Sequence, residues 1–184
     1  MSAELDVALE VAAALEAEGA RYVIGGSLAS SRAGEPRSTL DIDLAAELDE
    51  RIVVALIRRL GKAFYVDAEA AGAAVRTGSS FNLIHEASAI KVDVFIAHTP
   101  LDRLQMERRR KVVLEDGRFL YFCTAEDILL QKLLWYQTGG EVSDRQWRDI
   151  AGIVATQGAA LDQEYLRTQA AAARVSNLLD RALG

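Results

Sequence analysis

Tyr22-Val23-Ile24-Gly25-Gly26-Ser27, followed at a short distance by Leu40-Asp41-Ile42-Asp43-Leu44, is the stretch on which the fold turns. The first three residues are a short apolar run of the kind that makes a buried strand. Behind it the two glycines permit close backbone approach to a ligand, and Ser27 is placed to cap a helix whose first amides face an anion. In the second segment Leu40, Ile42 and Leu44 alternate with Asp41 and Asp43. A strand's period of two sends both carboxylates to one face. Such a pair repels itself unless a proton or a cation neutralises it, and oxygen donors on a rigid strand suit Mg²⁺. A phosphate cradle followed by a metal pair points to phosphoryl chemistry. Taken alone, Asp-Ile-Asp also reads as a half-exposed strand with solvated acids, and Gly-Gly-Ser as a tight turn with a helix cap.

A third acid lies downstream. Over residues 89–97, Ile90, Val92, Val94 and Ile96 share one strand face, while Lys91, Asp93 and Phe95 share the other. Pairing of this strand with the one bearing Asp41 and Asp43 would bring three carboxylates together.

Helical spacing of Leu5, Ala8, Leu9, Ala12 and Leu15 predicts a first helix that stops near Gly19, and a second follows from Ile52, Val53, Leu56, Ile57 and Leu60 before Gly61. Between and after these come a short helix over 27–33, a short strand over 63–66, a helix over 67–75 and a strand over 80–85. A charged helix from Pro100 to Arg110 precedes a hairpin of 111–115 and 118–123 around Asp116-Gly117, a favoured turn dipeptide. From Thr124 onward the pattern is helical, over 125–138, 144–156, 162–172 and 174–182. Ser143 with Gln146 fits a capping box, and Thr124 with Asp127 an acidic variant of it. The expected fold is α/β in the α+β sense. A mixed sheet flanked by helices occupies 1–123, and a C-terminal helical segment over 124–184 packs on it.

The chain has 184 residues, room for one ordinary core with a helical extension. Its 27 acidic and 21 basic residues give a formal charge of -6, which argues against broad nucleic-acid binding and leaves room only for a local RNA contact. No apolar run approaches the roughly 20 residues needed to span a bilayer. The first residues are acidic where a signal peptide would be basic, so a cytoplasmic location is expected. A lone Cys123 and two separated histidines speak against a thiolate or imidazole metal site, which leaves oxygen ligands.

Gly25-Gly26-Ser27, then Arg37-Ser38-Thr39-Leu40-Asp41-Ile42-Asp43-Leu44, then Lys91-Val92-Asp93-Val94-Phe95, in that order, resembles the polymerase-beta-type nucleotidyltransferase superfamily. Residues 125–133, Ala-Glu-Asp-Ile-Leu-Leu-Gln-Lys-Leu, and 143–150, Ser-Asp-Arg-Gln-Trp-Arg-Asp-Ile, are similar to its AbiEii-like branch, which is associated with abortive-infection and toxin-antitoxin systems. The resemblance covers roughly residues 20–155. It implies two Mg²⁺ ions held by Asp41, Asp43 and Asp93 around the triphosphate of a nucleoside triphosphate, with Asp93 also activating an acceptor hydroxyl. It further implies phosphate contacts from Gly25, Gly26 and Ser27, with Lys132 screening phosphate charge and Arg37 an outside candidate. The branch implies an antitoxin-like protein partner. A member that keeps the fold and loses activity would serve instead as a nucleotide-binding or protein-interaction module.

Other residues carry structural alternatives. Lys132 also reads as a surface lysine with its stem laid on the helix, and Arg145 stands at the i, i+4 spacing of a salt bridge to Asp149. Trp135 and Trp147 read as packing residues. The run Arg108-Arg109-Arg110-Lys111 reads as a solvated helix end, with contact to RNA or an acidic partner as the alternative. His85, His98 and Cys123 have no partner at catalytic spacing and are assigned to structure.

Overall fold

A computed structural model of the chain describes residues 2–34 and 41–184. Arg37 and Leu40 lie outside the described residues. Two compact units are present: the first contains 2–25 and 41–122, the second 26–34 and 123–184.

The first unit is built on a mixed sheet. Its strands are β1 (Tyr22–Ile24), β2 (Asp41–Ala46), β3 (Phe64–Val66), β4 (Ser80–His85), β5 (Lys91–Ile96), β6 (Arg110–Val113) and β7 (Phe119–Phe122). Their order across the sheet is β3-β4-β5-β2-β1-β7-β6. The central β2 runs parallel to β5 and antiparallel to β1. β4 and β5 bury every second residue, Phe81 and Leu83 on one strand and Val92, Val94 and Ile96 on the other. Period-two patterning thus gives one apolar sheet face and leaves Asn82 and Asp93, together with Ile84 and Phe95, on the opposite one. Three helices serve the apolar face: α1 (Ala3–Ala17) packs on β2 and β7, α3 (Glu50–Leu60) on α1, and α4 (Ala68–Thr77) on α3 and β4. Val7, Val11 and Leu15 of α1 are fully buried or nearly so, as are Val53 and Leu56 of α3. Asp49 and Asp67 cap α3 and α4 by accepting from the amides of Ile52 and Ala70. A further helix, α5 (Pro100–Arg108), opens with a reciprocal capping box between Thr99 and Asp102.

The second unit is helical and contains α2 (Gly26–Ala33), α6 (Ala125–Thr138), α7 (Asp144–Gln157), α8 (Gln163–Ala172) and α9 (Ser176–Leu183). α2 packs against α6 and α7, so the helical unit draws on a piece of chain far removed in sequence from the rest of it. Two close contacts fix this docking. The side-chain Nε2 of Gln157 donates to the carbonyl of Ala33 at 2.7 Å, and Gly34 lies so near the backbone of Gly152 that a Cβ there would sit 2.9 Å from its carbonyl carbon. Thr124 caps α6 by accepting from the amide of Asp127, and its hydroxyl donates to the Asp127 carboxylate. The return bond of this acidic capping variant therefore runs between side chains. Asp127 is fully buried and also accepts from the Tyr165 hydroxyl at 2.5 Å.

Candidate functional site

β2 and β5 pair in parallel register, with Asp41 opposite Lys91 and Asp43 opposite Asp93. The same register continues outward, because Asn82 of β4 lies opposite Asp93. On the inner side the amide of Gly25 donates to the carbonyl of Asp43 at 2.9 Å. One cross-strand row therefore reads Asn82, Asp93, Asp43, Gly25, on the face away from Ile42, Leu44, Val92 and Val94. Gly25 adds no side chain to this row.

Like charges directly opposite each other on paired strands repel. In this structure a lysine sits among them. Nζ of Lys91 lies 2.9 Å from Oδ2 of Asp93 and 3.8 Å from Oδ1 of Asp41. The Asp93 carboxylate, hydrogen-bonded to Lys91, raises the lysine's pKa above its ordinary value, and the charges of Asp41 and Asp43 act in the same direction. Lys91 is 39% exposed at its side chain against 19% for Asp93, so the acid row is open to solvent on the side where the lysine enters.

Among the described residues, no three side chains of the His, Cys, Asp and Glu type are gathered tightly enough to hold a metal ion. The chemistry of the row nonetheless fits one. Its donors are carboxylate oxygens on two adjacent, rigid strands, and a cation, the Lys91 ammonium, already lies against two of them.

The glycine turn follows the row directly in sequence. Gly25 is buried and its amide is committed to the carbonyl of Asp43. Gly26 has φ 53°, a left-handed conformation that glycine takes without steric cost. The helix begins at Gly26, so Ser27 is its second residue and not its cap, contrary to the sequence-based expectation. Its carbonyl accepts from the Ser30 hydroxyl at 3.1 Å.

In the helical unit, Lys132 is buried, with its ammonium 2.9 Å from Oδ2 of Asp149. The surface-lysine alternative therefore does not hold. Asp149 meets this lysine across α6 and α7, where the sequence suggested Arg145 one turn away on α7. A buried cross-helix pair excludes water, whereas an exposed i, i+4 pair gains little. Trp147 packs at 5.2 Å on Tyr136, with the guanidinium of Arg181 4.0 Å over its ring, in line with a packing role.

The basic run is not a solvated helix end. α5 stops at Arg108, and Arg110 and Lys111 belong to β6, an edge strand of the sheet. Arg109 turns inward, donating to the carbonyl of Tyr22 at 2.8 Å and lying 4.1 Å over the ring of Tyr121. Backbone pairing of β6 with β7 overrides the helical continuation that charge alone suggested.

Lys91 and Asn82 are the site residues that sequence reasoning did not single out. The signal for Lys91 was present, since it stands two residues before Asp93 and a strand returns to the same face every second residue. Asn82 needed the β4–β5 register, which no local pattern supplies.

Comparison with known proteins bears on the fold. No family model and no curated protein sequence matches the chain. Solved structures do. ANT(2'')-Ia in complex with adenylyl-2''-tobramycin is 18% identical, with a TM-score of 0.62 over 94% of this chain and 98% of that one. An antigenic nucleotidyltransferase-like protein from Paracoccidioides brasiliensis is 19% identical, with a TM-score of 0.60 over 97% of this chain and 90% of that one. The lincosamide antibiotic adenylyltransferase LnuA, with lincomycin bound, is 14% identical, with a TM-score of 0.53 over 79% and 93%. A mixed seven-stranded sheet with its helices, followed by C-terminal helices, is the architecture in common, and this chain has a nucleotidyltransferase-like fold.

Proposed function

We propose that the protein is a Mg²⁺-dependent nucleotidyltransferase that moves a nucleoside monophosphate from a nucleoside triphosphate to an acceptor hydroxyl. The observation that carries the reading is the placement of Asp43 opposite Asp93 on parallel neighbours β2 and β5, with Asp41 on the same face, within a nucleotidyltransferase-like fold.

Asp41, Asp43 and Asp93 would hold the Mg²⁺ ions, which when bound neutralise triphosphate charge and polarise the phosphoryl oxygens. Asp93 takes the proton of the acceptor hydroxyl as its oxygen attacks the α-phosphorus. The bond from that phosphorus to the bridging oxygen breaks, and pyrophosphate departs with the electron pair. The amides of Gly26 and Ser27 serve phosphate oxygens, while Gly25 locks the turn to the acid strand through its bond to Asp43. Lys132, paired with Asp149, is the phosphate-screening candidate in this reading. Arg37 stays an outside phosphate contact in this reading.

A small hydroxylated molecule bearing amines is the acceptor class favoured among protein, RNA and small molecule. Its support is the near full-length likeness to ANT(2'')-Ia, whose structure holds an adenylylated tobramycin, together with the acidic balance of this chain. The AbiEii-like motifs of α6 and α7 keep a protein acceptor and an antitoxin-like partner within the same mechanism. The test is incubation with labelled nucleoside triphosphates, Mg²⁺ and an aminoglycoside, total RNA or protein in separate reactions. Transfer that persists undiminished in Asp41→Asn and Asp43→Asn would sink the mechanism.

The second reading is a catalytically silent module, and the Lys91 ammonium against Asp93 and Asp41 is what favours it. Thermal unfolding with each nucleotide, with and without Mg²⁺, separates the two. A ligand that binds the native state raises the midpoint by mass action. A metal-dependent nucleotide shift belongs to the enzyme; partner binding without one belongs to the module.

A further inference from the structure

We propose that Lys91 is a built-in counter-ion of the carboxylate row, which holds the metal-free site together and is displaced when a divalent cation binds. The inference rests on the metal-binding reading of Asp41, Asp43 and Asp93.

Three features of the geometry lead to it. Lys91 is the direct strand partner of Asp41 and stands two residues from Asp93, so backbone register alone keeps its side chain on the acid face. Its ammonium bonds Oδ2 of Asp93 at 2.9 Å and reaches Oδ1 of Asp41 at 3.8 Å, and so draws together acids from two different strands. The residue on the far side of Asp93 in the row is Asn82, which carries no charge and cannot take over this role.

An ordinary surface ion pair is worth little, because water screens both partners. Here one ammonium serves carboxylates from two paired strands at once, and its loss takes a positive charge from both. A divalent cation brings twice the charge to the same oxygens. It must first dislodge the ammonium from Asp93, so the observed affinity is the intrinsic one reduced by that competition. Removing Lys91 should therefore weaken the metal-free protein and tighten its hold on the cation.

Thermal unfolding titrated with Mn²⁺ from an EDTA baseline tests this on the full chain, without nucleotide and without turnover. Wild type, Lys91→Met, Lys91→Arg, Asp41→Asn and, as a control for lost charge elsewhere, Lys111→Met on the edge strand are compared. In EDTA, Lys91→Met should melt below wild type. Its Mn²⁺ half-saturation should fall about tenfold, the size expected from deleting a unit charge near a partly solvated site. Lys91→Arg and Lys111→Met should stay near wild type. A role confined to structure would lower the Lys91→Met midpoint equally at all Mn²⁺ concentrations, and equal half-saturation in Lys91→Met and wild type overturns the proposal. If wild type responds to Mn²⁺ through Asp41 while Lys91→Met responds no more tightly, the counter-ion falls and the metal site stands. If neither responds, both fall. Should Lys91→Met fail to fold in EDTA, Lys91→Gln is judged by the same half-saturation criterion.

Discussion

Lys132 of α6 and Asp149 of α7 form an ion pair of 2.9 Å with only 4% and 9% of their side chains exposed. A pair this enclosed has lost its hydration, so its worth shows when one partner is removed. Lys132→Met should cost about 3 kcal/mol, because a buried carboxylate is left without its ammonium. Lys132→Met combined with Asp149→Leu should recover most of that loss. Urea unfolding measures both. If Lys132 also serves nucleotide, the double variant regains stability yet loses the midpoint shift given by nucleotide with Mg²⁺.

Asp93 should separate activity from stability. Asp93→Asn keeps the shape of the row and removes the proton acceptor, so transfer should fall on the order of 10²- to 10⁴-fold. Its ion pair with Lys91 is partly solvated and contributes under about 1 kcal/mol, so the midpoint should move little. Parallel rate and melting measurements check this, and a large midpoint drop would mean that lost folding explains the lost rate.

Gly34 is fixed by close approach and not by an unusual backbone angle. A Cβ there would lie 2.9 Å from both the carbonyl carbon of Gly152 and the amide nitrogen of Ile153, backbone atoms that cannot swing aside. Gly34→Ala should therefore force α2 and α7 apart and cost about 1–3 kcal/mol. Chemical denaturation measures the loss. An unchanged midpoint would show that the α2–α7 contact yields freely.

Tyr22 makes alkaline stability a further test. It is fully buried, with its hydroxyl near the Glu16 carboxylate and the Tyr121 backbone. Burial pushes its pKa above the ordinary tyrosine value, and the Glu16 carboxylate adds to the shift. A folded-state pKa raised above the unfolded one contributes stability that is complete below about pH 10. That stability is lost as pH rises through the folded value, because only the unfolded chain ionises readily. Tyr22→Phe should flatten the stability loss above pH 10. At neutral pH it should alter stability by no more than about 1 kcal/mol, the net worth of a single hydrogen bond.

Local pattern made much of this protein legible. Period-two alternation in β2, β4 and β5, the apolar stripes of α1 and α3, and the Asp116-Gly117 turn each report on residues a few positions apart. The motif order from Gly25 to Asp93 pointed to the fold that the solved structures share. By itself the sequence determined that Asp41 and Asp43 lie on one face and that Asp93 and Lys91 lie on one face, because strand periodicity is a property of the backbone. Tertiary structure decided what those faces meet. Only the parallel register of β2 with β5 sets Asp43 beside Asp93 and carries the Lys91 ammonium to Asp93 and Asp41. Only the packing of α6 on α7 gives Asp149 to Lys132 instead of Arg145, and only strand pairing turns the basic run into a sheet edge. These contacts join residues far apart in the chain. Burial and register, not local propensity, select them.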